Sequence, residues 1–90
     1  MRLIRFWLRF EIDLSDWSSA TTHLRAGCGV TAFNLDDALR LIEAEVLDGA
    51  PIPPIKSVTK DVDVSTLDQK HVLPNMGLPL NRGVWFPRTN

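Results

Sequence analysis

The chain carries a single cysteine, Cys28, among its 90 residues. That excludes an intramolecular disulfide and a cysteine-built zinc cluster, and it suits a reducing compartment. There is no surplus of charge of either sign: ten Lys and Arg against eleven Asp and Glu leave a net charge of −1. Bulk attraction to phosphate needs a clear positive excess, so the balance weighs against nucleic acid and against an anionic membrane surface. Long apolar runs are missing as well. In the opening stretch MRLIRFWLRFEIDL, Arg5 and Arg9 interrupt the hydrophobic residues well short of a signal core or a membrane span, so the expected location is the cytoplasm.

Signatures of bound cofactors are equally scarce. Gly27-Cys28-Gly29 is followed by neither the Lys-Ser/Thr pair of a phosphate loop nor a dinucleotide-binding GxGxxG. The two histidines, His23 and His71, stand in no spacing typical of metal ligands, so neither a metal nor a cofactor is expected. The stretch DVDVSTLD offers Asp61, Asp63 and Asp68 but lacks the glycine and terminal glutamate of a calcium loop. Ninety residues make one domain, 1–90, able to build a core without staples but too short for a second domain closing over a deep cleft.

What is present is patterned. Ile4, Phe6, Leu8, Phe10 and Ile12 alternate with Leu3, Arg5, Trp7, Arg9 and Glu11, the period of a strand with one core face and one aromatic-arginine face. Residues 24 to 33 predict a second strand on which Ala26, Cys28, Val30 and Ala32 share a face. All four are small, which lets a helix approach closely. Asn34 is suited to cap the helix LDDALRLIEAEVL, with Asp36 and Asp37 near the positive end of its dipole and Gly49 and the following prolines as its stop. A third strand is predicted over 55–64, with Val58, Val62 and Val64 inward and Lys60 in phase with them, which suggests an edge or a bulge. A short turn capped by Ser65 follows, then a Pro- and Gly-punctuated loop. The last strand is RGVWFP, in which Val84 and Phe86 face opposite to Trp85. The expected architecture is α+β, a four-stranded, mainly antiparallel sheet in the order β-β-α-β-β with one principal helix on one face. On the open face, Trp7 and Trp85 are expected to lie near each other.

Three groups could carry chemistry. A nucleophilic cysteine needs a lowered pKa and an oriented base, and Cys28 with His71 and Asn75 has the right residue types. Against this, Cys28 lies in mid-strand among small core residues, six positions before the helix cap, so a buried structural thiol is the expectation. His71 in DQKHVLPN belongs to an irregular segment, where function concentrates, yet a histidine there equally serves to bond a carbonyl. Asp61 and Asp63, two apart on a strand, share a face as paired carboxylates would, and solvated edge charge accounts for them as well.

The segments GCGVTAFNLDDALRLI, HVLPNMGLP and RGVWFP resemble those of a group of small bacterial proteins with no assigned activity, over residues 24 to 88. The resemblance implies a stand-alone domain and directs attention to Asn75, Gly77, Arg82 and Trp85, without supplying catalytic residues. The balance of these readings favours a non-enzymatic protein-binding module of the kind bacterial immunity and inhibitor proteins exemplify, occluding a protein partner. Trp7 and Trp85 would anchor the contact, with Arg5, Arg9 and Arg82 pairing with partner carboxylates. Asp36, Asp37 and Glu43 form the alternative surface for a basic partner. A small enzyme or ligand-binding protein using the His71–Asn75 loop, and a homodimer with a structural or regulatory role, are the other readings.

Overall fold

A computed structural model describes residues 2–12, 24–67, 72, 76 and 79–87. Four strands, β1 (Ile4–Phe10), β2 (Cys28–Ala32), β3 (Ile55–Lys60) and β4 (Gly83–Phe86), form one sheet in the order β3-β1-β2-β4, and every neighbouring pair is antiparallel. One helix, α1 (Leu35–Glu45), follows β2 and packs over β2 and β4. Among the described residues the fold is therefore the expected α+β arrangement of a four-stranded antiparallel sheet and one helix. Among the described residues no helix is long and apolar enough to cross a membrane.

The alternation in β1 builds the main core. Phe6, Leu8 and Phe10 are buried with Cys28, Val30 and Ala32 of β2 and with Ala38 and Ile42 of α1, while Ile4 and Ile12 lie at the margin. Because Cys28, Val30, Ala32 and Ala38 are small, the helix sits close on the sheet and every one of them is shielded from solvent. Asn34 caps α1 as expected: its side-chain oxygen accepts the Asp37 N–H at 2.8 Å, and the Asp37 carboxylate accepts the Phe33 N–H at 3.1 Å. The helix ends in left-handed backbone at Asp48 and Gly49, and the Gly49 N–H closes onto the Glu43 carbonyl at 3.0 Å.

Several boundaries differ from the periodicity. The second strand begins at Cys28, four residues later than expected, because residues 24–26 form a turn closed by the Gly27 N–H on the Leu24 carbonyl and Gly27 adopts φ +107°. Ala26 is consequently exposed. The third strand ends at Lys60, where Asp61 takes φ +53° and turns the chain. Val62 thereby leaves the helix side and enters a cluster on the opposite face of the sheet. Lys60 is indeed on an edge strand, and the register steps from Arg9↔Ser57 to Phe10↔Ile55, which leaves Lys56 as an extra residue in β3. The short turn Val64–Thr66 is capped by Asp63 rather than Ser65: the Asp63 carboxylate accepts both the Ser65 N–H and the Ser65 hydroxyl. Finally, β1 and β4 do not pair with each other; they flank β2.

Candidate functional site

The face expected to be open is a second core. Trp7 and Trp85 do lie side by side, with ring centroids 6.0 Å apart, and Phe86 stacks at 5.6 Å from Trp7. All three are buried together with Val62 and Val72, and Leu67 and Met76 pack against them. Val62, Leu67, Val72 and Met76 thus cover the sheet face that periodicity alone left exposed. Tryptophan rings at 9% and 2% exposure cannot serve as surface anchors, so this part of the expected partner face is corrected.

Phe86 joins Trp85 because the β2–β4 ladder is irregular. Val30 pairs with Val84 and Gly29 with Phe86, so Trp85 is the additional residue of a bulge, and Trp85 and Phe86 enter the same cluster instead of facing apart. The two glycines around Cys28 make room for this. A Cβ on Gly29 would stand 2.6 Å from Trp85 Cε3 and nearer still to Cζ3 and Cη2; one on Gly27 would stand 2.5 Å from Trp7 Cζ2. Gly27 and Gly29 are the floor on which the two indoles rest, while Cys28 between them points into the helix-side core. The Trp85 Nε1–H has no acceptor among the described residues, an omission that costs about 1–3 kcal/mol when a donor is buried.

This geometry settles the chemistry available at Cys28. Its thiol is fully buried, and burial, with a smaller contribution from the negative charge of Glu45, pushes its pKa far up. Such a thiol is neither a nucleophile nor an anion cradle. His71 and Asn75, the other members of that set, and Asp68 lie outside the described residues. The remaining carboxylates are separately engaged. Asp61 forms an ion pair with Arg2 at 2.9 Å, and Asp63 caps its turn, where the bonds from Ser65 hold its carboxyl below the usual range.

The two alternative partner surfaces are joined by an ion pair. Arg82 donates through Nε to Asp37 at 2.9 Å and through Nη2 to the other carboxylate oxygen, a bidentate contact between the approach to β4 and the first turn of α1. The Arg82 guanidinium beside Asp37, together with the Phe33 N–H, holds the Asp37 carboxyl at about 2. Arg5 is half-buried and donates to the Val62 carbonyl at 3.2 Å. Arg9 is exposed on β1, and Asp36 and Glu43 are exposed on the outer side of α1. A shallow depression of about 300 Å³, bounded by Arg40, Glu43, Ala44 and Gly49, lies beside Glu43 and is too open to enclose a ligand.

One surface was not anticipated. Leu80 is 72% exposed, and Leu3 and Phe33 are both more than one-third exposed. Ile4 pairs with Ala32 at the end of the β1–β2 ladder, and Leu3 and Phe33 adjoin that last pair in sequence. Thr31 in turn pairs with Gly83, and its hydroxyl donates to the Pro79 carbonyl, so the loop bearing Leu80 is tied to this same end of the sheet. The Arg82 guanidinium stands 5.8 Å over the Phe33 ring. Leu3, Phe33 and Leu80 thus lie toward one end of the sheet as exposed apolar side chains, with an arginine beside Phe33. Its sequence trace is faint: Leu80 sits in LPLN, an apolar residue in a proline-punctuated loop with no periodic partner. No family model, no curated protein and no solved structure matches this chain.

Proposed function

We propose that this chain is a cytoplasmic protein-binding module that acts by occupying a partner's surface, in the manner of small inhibitor proteins. The observation that carries the reading is Leu80, held in solvent by a loop whose preceding carbonyl is pinned by the buried Thr31 hydroxyl. A leucine presented on a fixed backbone loses little freedom on docking, and the aromatic ring and arginine beside it are of the residue types enriched at protein contacts. Phe33 and Leu3 extend the anchor, and Arg82 retains its place among the contact residues. Its guanidinium is the more exposed member of its ion pair, with the side chain 46% accessible against 16% for Asp37. Arg9, at the opposite end of β1 from Leu3, and Glu43, near the C-terminal end of α1, are left out of this contact.

The test is affinity capture from lysate of the native host with the wild-type chain, Leu80→Ser, Phe33→Ala and a Glu43→Lys variant, after matched unfolding curves. A stoichiometric protein lost with the first two variants and retained with the third is expected. Equal recovery with Leu80→Ser and wild type would refute the contact surface. Loss only with the helix variant would move it to the acidic face.

A further inference from the structure

The two outer strands of the sheet are finished differently. At β4 the Val84 N–H is taken by the Glu45 carboxylate at 3.1 Å, so the helix closes that side. At β3 no such cover exists among the described residues, and five of its six residues are exposed. The direction of its backbone groups follows from two bonds: the Val62 N–H donates to the Arg5 carbonyl and the Glu11 N–H to the Pro54 carbonyl. Odd-numbered residues of β1 therefore turn their backbone groups toward β3. Thr59 and Ser57, opposite Trp7 and Arg9, meet them, and Val58 and Lys60 direct their N–H and C=O groups outward.

Charge selects what fits there. Lys56, Lys60 and Arg9 are exposed and make no ion pair among the described residues, whereas Arg2 and Arg82 each hold a carboxylate. Asp61, the acid next to Lys60, is occupied by Arg2. Arg9 lies across from Ser57, a side chain small enough for the guanidinium to lean over it toward the free edge. Lysines on an edge commonly hold off another copy of the same strand, and antiparallel pairing centred on Val58 would bring Lys56 of each copy toward Lys60 of the other. The same charges favour a strand of opposite sign.

We infer that the free edge of β3 docks a short, extended, acidic segment of another protein, which adds a fifth strand against Val58–Lys60. In an antiparallel segment, a carboxylate opposite Lys60, an apolar residue opposite Val58 and a second carboxylate opposite Ser57 meet Lys60, Val58 and Arg9 respectively. The bulge at Lys56 ends the usable edge, so the segment is short. This contact is independent of the Leu80 patch.

The probe is the capped peptide Thr-Glu-Thr-Val-Glu-Thr, titrated into isotopically labelled chain by amide NMR beside versions with both Glu replaced by Gln or by Lys. The expected result is shifts centred on the amides of Val58, Thr59 and Lys60, with the Glu peptide binding about three- to tenfold more tightly than the Gln peptide, and the Lys peptide weakest. The preference shrinks in high salt. Val58→Pro, which removes an outward N–H while sparing the β1 ladder, abolishes binding of all three. Lys60→Glu, at an exposed position, narrows or inverts the order of the Glu and Lys peptides. Equal affinity of the three peptides, with loss in Val58→Pro, would overturn the acidic preference alone. Shifts elsewhere, or none at saturating peptide, would overturn the edge as a docking site, and concentration-dependent broadening of the same amides without peptide would assign it to a second copy.

Discussion

Replacing Gly29 by alanine tests the glycine floor directly. Gly29 lies in β2 without left-handed backbone, so alanine meets no conformational penalty there and its effect is steric. The new methyl would stand 2.6 Å or less from three carbons of the Trp85 six-membered ring, and that ring is 2% exposed and braced by Trp7. Overpacking of this kind costs about 1–3 kcal/mol, against about 0.4–1 kcal/mol gained because alanine restricts the unfolded chain. The net expectation is a loss of about 1–2 kcal/mol, or roughly 5–15 °C in Tm for a domain of this length. Urea unfolding followed by far-ultraviolet circular dichroism measures it without depending on tryptophan emission. The diagnostic is the double variant Gly29→Ala/Trp85→Phe. A smaller ring leaves space for the methyl, so the pair should be about 1 kcal/mol more stable than the sum of the single effects. Additive effects, or a Gly29→Ala chain as stable as wild type, would mean that the indole does not rest on Gly29.

The remaining expectations concern Cys28 and the start of α1. An alkylating reagent should leave Cys28 unmodified in the folded chain from pH 6 to 9 and modify it in denaturant; rapid labelling of native protein, followed by mass spectrometry, would contradict its burial. Asp37 has a folded pKa depressed to about 2, below its unfolded value, so the stability it contributes is present above about pH 4 and is lost as pH falls toward 2. Asp37→Asn should therefore flatten the decline of the urea midpoint over that window, and an unchanged pH slope would show that the Arg82 pair does not govern it. Asn34→Ala removes the acceptor for the Asp37 N–H and should cost about 1 kcal/mol in the same urea assay; a change below 0.3 kcal/mol, on the order of measurement scatter, would deny the cap its role.

The helix-side core was legible because its signals are local. β1 alternates strictly, β2 shows small residues two apart, and Asn34 precedes an amphipathic run, so period and capping chemistry were sufficient. The opposite face was not legible because its cover lacks a period. Val62, Leu67, Val72 and Met76 recur every four or five residues through an irregular segment, which matches neither helix nor strand, yet they close over Trp7 and Trp85. Trp85 and Phe86 were assigned to opposite faces by simple alternation, and the bulge at Gly29/Val30 defeated that rule without leaving a mark in the sequence. The pairing of Arg82 with Asp37 joins residues 45 apart, and no local pattern announces such a contact. Leu80 was overlooked for the converse reason, since solitary apolar residues in loops are common and only its anchoring through Thr31 distinguishes it.

The position of β2 between β1 and β4 also governs when the domain can form during synthesis. β1 and β2 are made early, but the indole that fills the hollow above Gly29 arrives with β4, more than fifty residues later. Until Trp85 has left the ribosome, Trp7 and the glycine face of β2 remain wet, although β3, β1 and β2 with the helix on their other face are already made. Closure of the Trp7 face therefore waits on Gly83–Phe86, and a nascent chain paused before that segment would hold the helix-side core while exposing Trp7 to chaperones.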